Sequence, residues 1–360
     1  MAAGQGTVSI IVPTHNRAAY LKRALDRIRS QSYPRMEIIV IANGCMDDTE
    51  QVARDFQRRV ESQTRPAADA QIAFTLRVFK ETLGGARARN IGMDCARGEY
   101  VAFLDDDDFW HPDALSAQVE LLNRHDCALV SNCSFYLYER DGREFARPAG
   151  AADTGAAELR FGDLSCENKL DGFSRCLTRR SHLGALRIDE GLDALQDWDL
   201  WLKILAATGG AARINPLRHV YGRIDNDRIS NRYPQIASAQ RRFLQSWRGQ
   251  LDAPSIAYHE MRNRCFRIKA RAQTAAGACG HPANPKQQSP RMLSTLISVV
   301  ARWPQTAKVI FRSSERGDIK RYIHYMLLPL LDINAARMRL WRVGVGKKRV
   351  RKLPAALGGM

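Results

Sequence analysis

The chain has 360 residues, 45% of them hydrophobic and 26% charged, which is the composition of an ordinary globular protein with room for one large core or two smaller ones. Its formal net charge is +17, from 55 Lys and Arg against 38 Asp and Glu. That balance by itself points to nucleic acid or an anionic surface, while no apolar run nears the roughly 20 residues that span a bilayer.

In chain order, Val8 to Val12 is a short β-branched run that stops at Pro13, a residue expected to end a central strand. The run is too short for a signal-peptide core and has no basic leader. The eight scattered cysteines, none in a C-x-x-C pair, therefore read as reduced thiols of a cytoplasmic protein. Residues 18–31 carry Tyr20, Leu21, Leu25 and Ile28 at helical spacing. Residues 37–41 predict a second strand, broken by Asn43-Gly44, and Asp47-Asp48-Thr49 starts a helix. A third strand is predicted over 72–79 and a helix over 84–96, entered through Gly84-Gly85. A fourth strand, 100–104, runs straight into Asp105-Asp106-Asp107-Asp108.

After residue 112 the pattern is mixed. A helix is predicted over 114–122, an extended run over 128–138 and a loop over 148–158. An amphipathic helix over 196–207 has Leu195, Trp198, Leu202 and Leu205 on its core face. A long basic helical region follows, with a linker at 277–290. The charge is divided unevenly. Residues 251–360 hold 21 Lys and Arg against 5 Asp and Glu, a net of +16, and residues 1–250 hold 34 against 33.

Strands alternating with helices imply an α/β chain with βαβ units and a mostly parallel sheet. Ligands of such sheets bind beyond the carboxyl ends of the strands. That rule selects three loops, at 13–17, 42–45 and 105–108, which should share one edge. Four consecutive aspartates repel one another, and an oxygen-only donor set suits Mg²⁺ or Mn²⁺; the alternative is a solvated acidic turn. The turn at 42–49 offers backbone N–H groups to an anion or a base edge, and reads equally as a plain βα turn. The segment 84–90 resembles a phosphate cradle without the spacing of a known one. Asp197, at its helix start and off the core face, reads from its own segment as a cap.

In combination these segments are more specific. Val-Ser-Ile-Ile-Val-Pro-Thr-His-Asn-Arg at 8–17, Glu-Ile-Ile-Val-Ile-Ala-Asn-Gly-Cys-Met-Asp-Asp-Thr at 37–49, Ala-Arg-Asn at 88–90, Gly-Glu-Tyr-Val-Ala-Phe-Leu-Asp-Asp-Asp-Asp at 98–108 and Gln-Asp-Trp-Asp-Leu-Trp at 196–201, in this order, resemble family-2 glycosyltransferases of the GT-A fold over about residues 7–230. The resemblance implies a Rossmann-like mixed sheet flanked by helices, with a basic helical C-terminal appendage. It implies a GT-A domain over 1–250, with a nucleotide-binding half at about 7–110 and an acceptor half at about 111–250, and leaves 251–360 as the appendage. The implied chemistry is transfer from a nucleotide-diphosphosugar, first of all a UDP-sugar, to a glycan or lipid-linked hydroxyl acceptor. Inversion at the anomeric carbon and a divalent metal go with it.

The nucleotide-binding set carried over by the resemblance is Pro13, Thr14, Asn16, Arg17, Asn43, Arg89, Asp105 and Asp106. Asp107 is the implied metal ligand and Asp197 the implied general base. Two departures stand out. Asn43 replaces an Asp, and an amide can donate as well as accept, so uracil, thymine and cytosine are all admitted. Gln196 replaces a Glu, which removes a negative charge beside the base. Arg223 and Arg228 are candidates to clamp the diphosphate, against a plain role as surface charge.

Rival readings are a non-catalytic sugar-nucleotide-binding module, motivated by Gln196, and a nucleotidyltransferase, which would need a Gly-rich turn after the first strand. No nucleic-acid motif accompanies the charge. The apolar stretches 292–303 and 322–333 and the basic cluster 346–352 instead suggest either attachment to an anionic membrane surface, at its inner face, or a solvated or self-packing helical tail.

Overall fold

The sheet is built around β1 (Val8–Thr14), whose side chains from Val8 to Val12 are fully buried. A strand covered on both faces reads as a continuous apolar run and not as an alternation. β1 pairs in parallel with β2 (Arg35–Asn43) on one side and β4 (Tyr100–Phe103) on the other. β2 pairs in parallel with β3 (Gln71–Phe79). The crossovers are α1 (Ala18–Arg29), α2 (Thr49–Ser62) and α3 (Gly85–Cys95). The carboxyl ends of these four strands therefore share one edge. The structure, a computed structural model, describes residues 6–62, 71–140, 143–149, 158–223 and 232–278.

β1 runs through Pro13, which pairs with Ile41 of β2, so the proline does not end the strand as expected. The reason lies in the pairing. Thr7 and Ile11 direct their carbonyls to the β4 side, so alternation puts the Pro13 nitrogen on that side too. β4 stops pairing at Ile11, and the missing N–H has no ladder partner to lose.

α1 packs Leu21, Ala24, Leu25 and Ile28 onto this sheet with Val8, Ile10, Val12, Ile38 and Val40. Burial of each large aliphatic side chain contributes about 1.5–3 kcal/mol. On α3 the approach is closer. A Cβ on Gly92 would lie 2.3 Å from Ile11 Cγ2, so only glycine lets the helix reach the strand.

The chain then forms β5 (Phe109–Trp110), α4 (Ala114–His125), β6 (Leu129–Arg140), β7 (Arg143–Ala149) and β8 (Glu158–Leu159). Two 3₁₀ turns, Phe161–Leu164 and Phe173–Arg175, precede β9 (Cys176–Arg179), α5 (Arg180–Leu183), α6 (Gln196–Thr208) and β10 (Ala212–Arg223). Among the described residues the sheet order is β3-β2-β1-β4-β9-β6-β10-β5, with β7 on β6 and β8 on β10. β9 is antiparallel to both β4 and β6, which makes the sheet mixed. Residues 148 and 149, expected in a loop, extend the β6–β7 ladder; the rest of that loop up to 157 lies outside the described residues. α6 buries more than the expected face. Trp198, Leu202 and Leu205 are buried as read from the sequence, and so are Leu200, Trp201 and Ile204, while Leu195 is only partly covered.

The described residues divide into two compact units, one of 6–190 with 196–223 and one of 191–195 with 232–278. The second contains α7 (Tyr233–Trp247) and α8 (Ala253–Ala278). Ile236, Ala237 and Phe266 form its apolar contact, and Asn263 Nδ2 donates to the Ala237 carbonyl at 2.7 Å. Among the described residues no helix is long and apolar enough to cross a membrane. The stretches 292–303 and 322–333, the cluster 346–352 and most of the 277–290 linker lie outside the described residues.

Candidate active site

The three strand-end loops meet as expected. His15 Nδ1 lies 2.6 Å from the Asn43 carbonyl oxygen, and the Met46 N–H donates to Asn16 Oδ1 at 2.7 Å. Asp47 Oδ2 accepts the Ala18 N–H at 3.2 Å, so the start of α1 is satisfied from the neighbouring turn. Gly44 makes that turn possible. Its φ is +64°, and a Cβ there would lie 2.6 Å from Thr82 Oγ1. Asn43 is buried, and its Oδ1 accepts the Leu83 N–H.

The acidic run is not held apart by solvent. Thr14 Oγ1 donates to Asp106 Oδ2 at 2.7 Å. Arg17 bridges Asp106 and Asp107, with Nη1 at 2.9 Å from an oxygen of each. Arg23 donates to the Asp107 carbonyl at 3.1 Å. Arg89 pairs with Asp105 while its guanidinium lies 4.2 Å from the centre of the Phe173 ring. Arginines supply the cations that the sequence reading assigned to a metal alone. Asp106 is 4% exposed. Burial pushes its carboxyl up to about 6, against the opposing pull of Arg17 and Thr14. Arg17 is held more firmly protonated by the two carboxylates, although its own burial works the other way.

Among the described residues no three His, Cys, Asp or Glu side chains are grouped to enclose a metal ion. Mg²⁺ and Mn²⁺ need no such cage when phosphate oxygens and water complete the shell. The donor set here is carboxylate oxygen only, and Asp107, with a quarter of its side chain exposed, is the member of the Arg17 pair that reaches solvent. The residues fit a hard dication held by one or two carboxylates.

Asp197 sits in the first turn of α6 and is not a cap residue before it, since the helix already includes Gln196. Its Oδ2 accepts from Asn168 Nδ2 at 3.0 Å. Burial pushes the carboxyl up to about 7. The charges of Asp171 and Asp105 add to the rise, and the Trp198 N–H and Arg89 oppose it. Asp197 is thus within electrostatic reach of the acidic run. Gln196 Oε1 and Arg89 both lie against Gly85.

The edge thus brings together Pro13, Thr14, Asn16, Arg17, Asn43, Arg89, Asp105, Asp106, Asp107 and Asp197. The side chain of Arg223 and all of Arg228 lie outside the described residues. The sequence reading missed Arg23, Asn168, Phe173 and Ser174, whose Oγ accepts the Asp105 N–H at 3.0 Å. Asn168, Phe173 and Ser174 lie in segments with no recognised spacing, and Arg23 lies on a helix whose spacing marks only its apolar face.

Comparison with known proteins agrees with this architecture. Residues 9–179 match the family model for glycosyl transferase family 2. A putative teichuronic acid biosynthesis glycosyltransferase of Bacillus subtilis, TuaG, is 26% identical over 226 residues, which is 63% of this chain and 82% of the relative. The chain spans less than two thirds of the length of several further relatives. Among solved structures, S. aureus TarS 1-349 in complex with UDP-GlcNAc gives a TM-score of 0.54 at 15% identity, covering 95% of this chain and 93% of that one. The mannosyltransferase PcManGT of Pyrobaculum calidifontis, in complex with GDP-Man and Mn²⁺, gives 0.55 at 21% identity over 94% and 88%. Residues 9–179 thus match glycosyl transferase family 2, within a mixed α/β fold like that of the solved GT-A structures.

Proposed function

We propose that residues 1–250 transfer a sugar with inversion from a nucleotide-diphosphosugar, a UDP-sugar first, to a hydroxyl of a cell-surface glycan or its lipid-linked precursor. The observation that carries the reading is the pairing of two unlike carboxylate sites at one strand edge. One is the arginine-bound run at 105–107, and the other is Asp197, held by the Asn168 amide, whose carboxyl burial pushes up to about 7.

In this reading Pro13, Thr14, Asn16 and Asn43 seat the nucleoside. Arg17 and Arg89 face the diphosphate, and Asp105 and Asp106 lie at the ribose. Asp107 holds Mg²⁺ or Mn²⁺, which when bound neutralises charge growing on the departing diphosphate. Asp197 takes the proton from the acceptor hydroxyl as its oxygen attacks the anomeric carbon. The bond to the diphosphate breaks on the opposite face of the sugar, so the configuration inverts. The TuaG name supports a polysaccharide acceptor, and the UDP-GlcNAc and Mn²⁺ complexes support the donor class and the metal.

Nucleotide release from a panel of UDP-, dTDP-, CDP- and GDP-sugars with Mn²⁺ tests the reading. Release that Asp107→Ala and Asp197→Asn each lower by about a hundredfold or more is expected. Release indifferent to both would leave only a sugar-nucleotide-binding module.

The +16 of residues 251–360 is proposed to attach the enzyme to an anionic membrane surface. The full chain should float with phosphatidylglycerol vesicles and a chain ending near residue 250 should not. Equal partitioning would refute attachment.

A further inference from the structure

Residues 165–172, between the two 3₁₀ turns, match no motif, yet they deliver a neutral amide to Asp197. Asn168 Oδ1 accepts two backbone N–H groups, from Leu170 at 3.2 Å and from Asp171 at 3.1 Å. A backbone N–H can only donate, so the oxygen side of this amide is fixed and its NH₂ must face the other way. That NH₂ donates to Asp197 Oδ2 at 3.0 Å and to the Asp171 carbonyl at 3.2 Å.

The platform under Asn168 is held in turn. Asp171 has a left-handed backbone, φ 62°. Its carbonyl also accepts from Trp201 Nε1 at 3.1 Å. Its carboxylate takes Arg175 at 2.7 Å, the Tyr136 hydroxyl at 3.3 Å and the Gly172 N–H at 3.0 Å. Asp197 and Trp201 are one helical turn apart on α6, so the helix grips the loop at two points and fixes the distance from Asn168 to Asp197.

We infer that Asn168 is a positioning residue for the base, holding Oδ2 of Asp197 and so fixing the orientation of the carboxylate that takes the acceptor proton. The inference rests on the reading of Asp197 as the base. The chemistry of the donor matters. The titratable and charged groups facing Asp197 are Asp171, Asp105, Arg89 and the buried Cys176 thiol. A guanidinium in place of Asn168 would orient the carboxylate and also make it a poor base. A neutral amide orients it and stabilises the ionised form only modestly.

Asn168→Asp and Asn168→Ala separate positioning from loop structure. The aspartate keeps an acceptor for Leu170 and Asp171 but puts a second carboxylate where the NH₂ was; the alanine loses both functions. Turnover is read as nucleotide release from the best donor of the panel, across pH 5–9. Both variants should lose about 10–100-fold in kcat with donor KM nearly unchanged. The acidic limb of the kcat profile should move to higher pH, further for Asn168→Asp because a like charge is added. The ionisation of Asp197, followed by carboxyl-carbon NMR, should move the same way without any turnover. An Asn168→Asp variant with wild-type kcat and unmoved limb and ionisation, beside an impaired Asn168→Ala, would reduce Asn168 to a loop residue. If Asp197→Asn is inactive in that case, the base reading survives alone. If Asp197→Asn keeps full turnover, the base reading falls and this assignment falls with it.

Discussion

Asp105, Asp106 and Asp107 lie among arginines, whereas Asp197, on the same edge of the sheet, is bound by the amide of Asn168. The acidic run has two guanidiniums on its carboxylates and a third on the Asp107 carbonyl. Burial raises the proton affinity of Asp197, the charges of Asp171 and Asp105 add to it, and the Trp198 N–H and Arg89 oppose it. The same functional group is thus set up for two tasks. Carboxylates paired with arginines suit a site that holds cations and receives phosphates. A desolvated carboxylate with a neutral hydrogen-bond partner suits one that exchanges a proton near pH 7.

The comparison is broken most severely at Asp197, the proposed base. Asp197→Asn should lower turnover by about 10²–10⁴-fold and leave nucleotide affinity, measured by calorimetry with UDP and Mn²⁺, unchanged. Asp107→Ala should act on the other site. Turnover should fall by about 10²–10³-fold, and nucleotide affinity should lose its dependence on Mn²⁺ in the same titration. The smallest effect sharpens the contrast through stability. The folded pKa of Asp197, about 7, lies above its ordinary value of 3.8. Its ionised form therefore costs the folded state stability, a loss that sets in as pH rises above about 4 and is complete above about 7. Asp197→Asn should raise the melting temperature at pH 8 by about 2–4 °C and leave it unchanged below pH 4. A mutation that inactivates while stabilising is what a residue kept for chemistry predicts.

The nucleotide half of the fold was legible because its strands are buried on both faces and announce themselves as apolar runs ending in polar loops. Val8 to Val12, Glu37 to Ile41 and Tyr100 to Leu104 all read this way, and the strand-end rule then brought 13–17, 42–45 and 105–108 together. Pro13 was misread because local propensity cannot know that β4 stops short on that side. The mixed half was harder for a similar reason. β9 is only four residues long and pairs antiparallel to β4 across more than seventy residues of chain, and no period in the sequence encodes that. Within the site, the aspartates were visible as a run, but Arg17 reaches them across 89 and 90 positions. Asn168 meets Asp197 across 29 positions from an irregular loop. Asp197 itself was ambiguous, since an aspartate at a helix start is more often a cap. Only its company in the order of motifs pointed to chemistry.

The central claim is that Asp197 is the base and titrates in place. The measurement that bears on it most directly is the pH dependence of kcat for nucleotide release, with saturating donor and Mn²⁺, from pH 5 to 9. The wild type should rise through a single limb near pH 7, and the residual activity of Asp197→Asn should show no limb there. The same limb in both proteins, or a wild-type rate that is flat across the range, would contradict it.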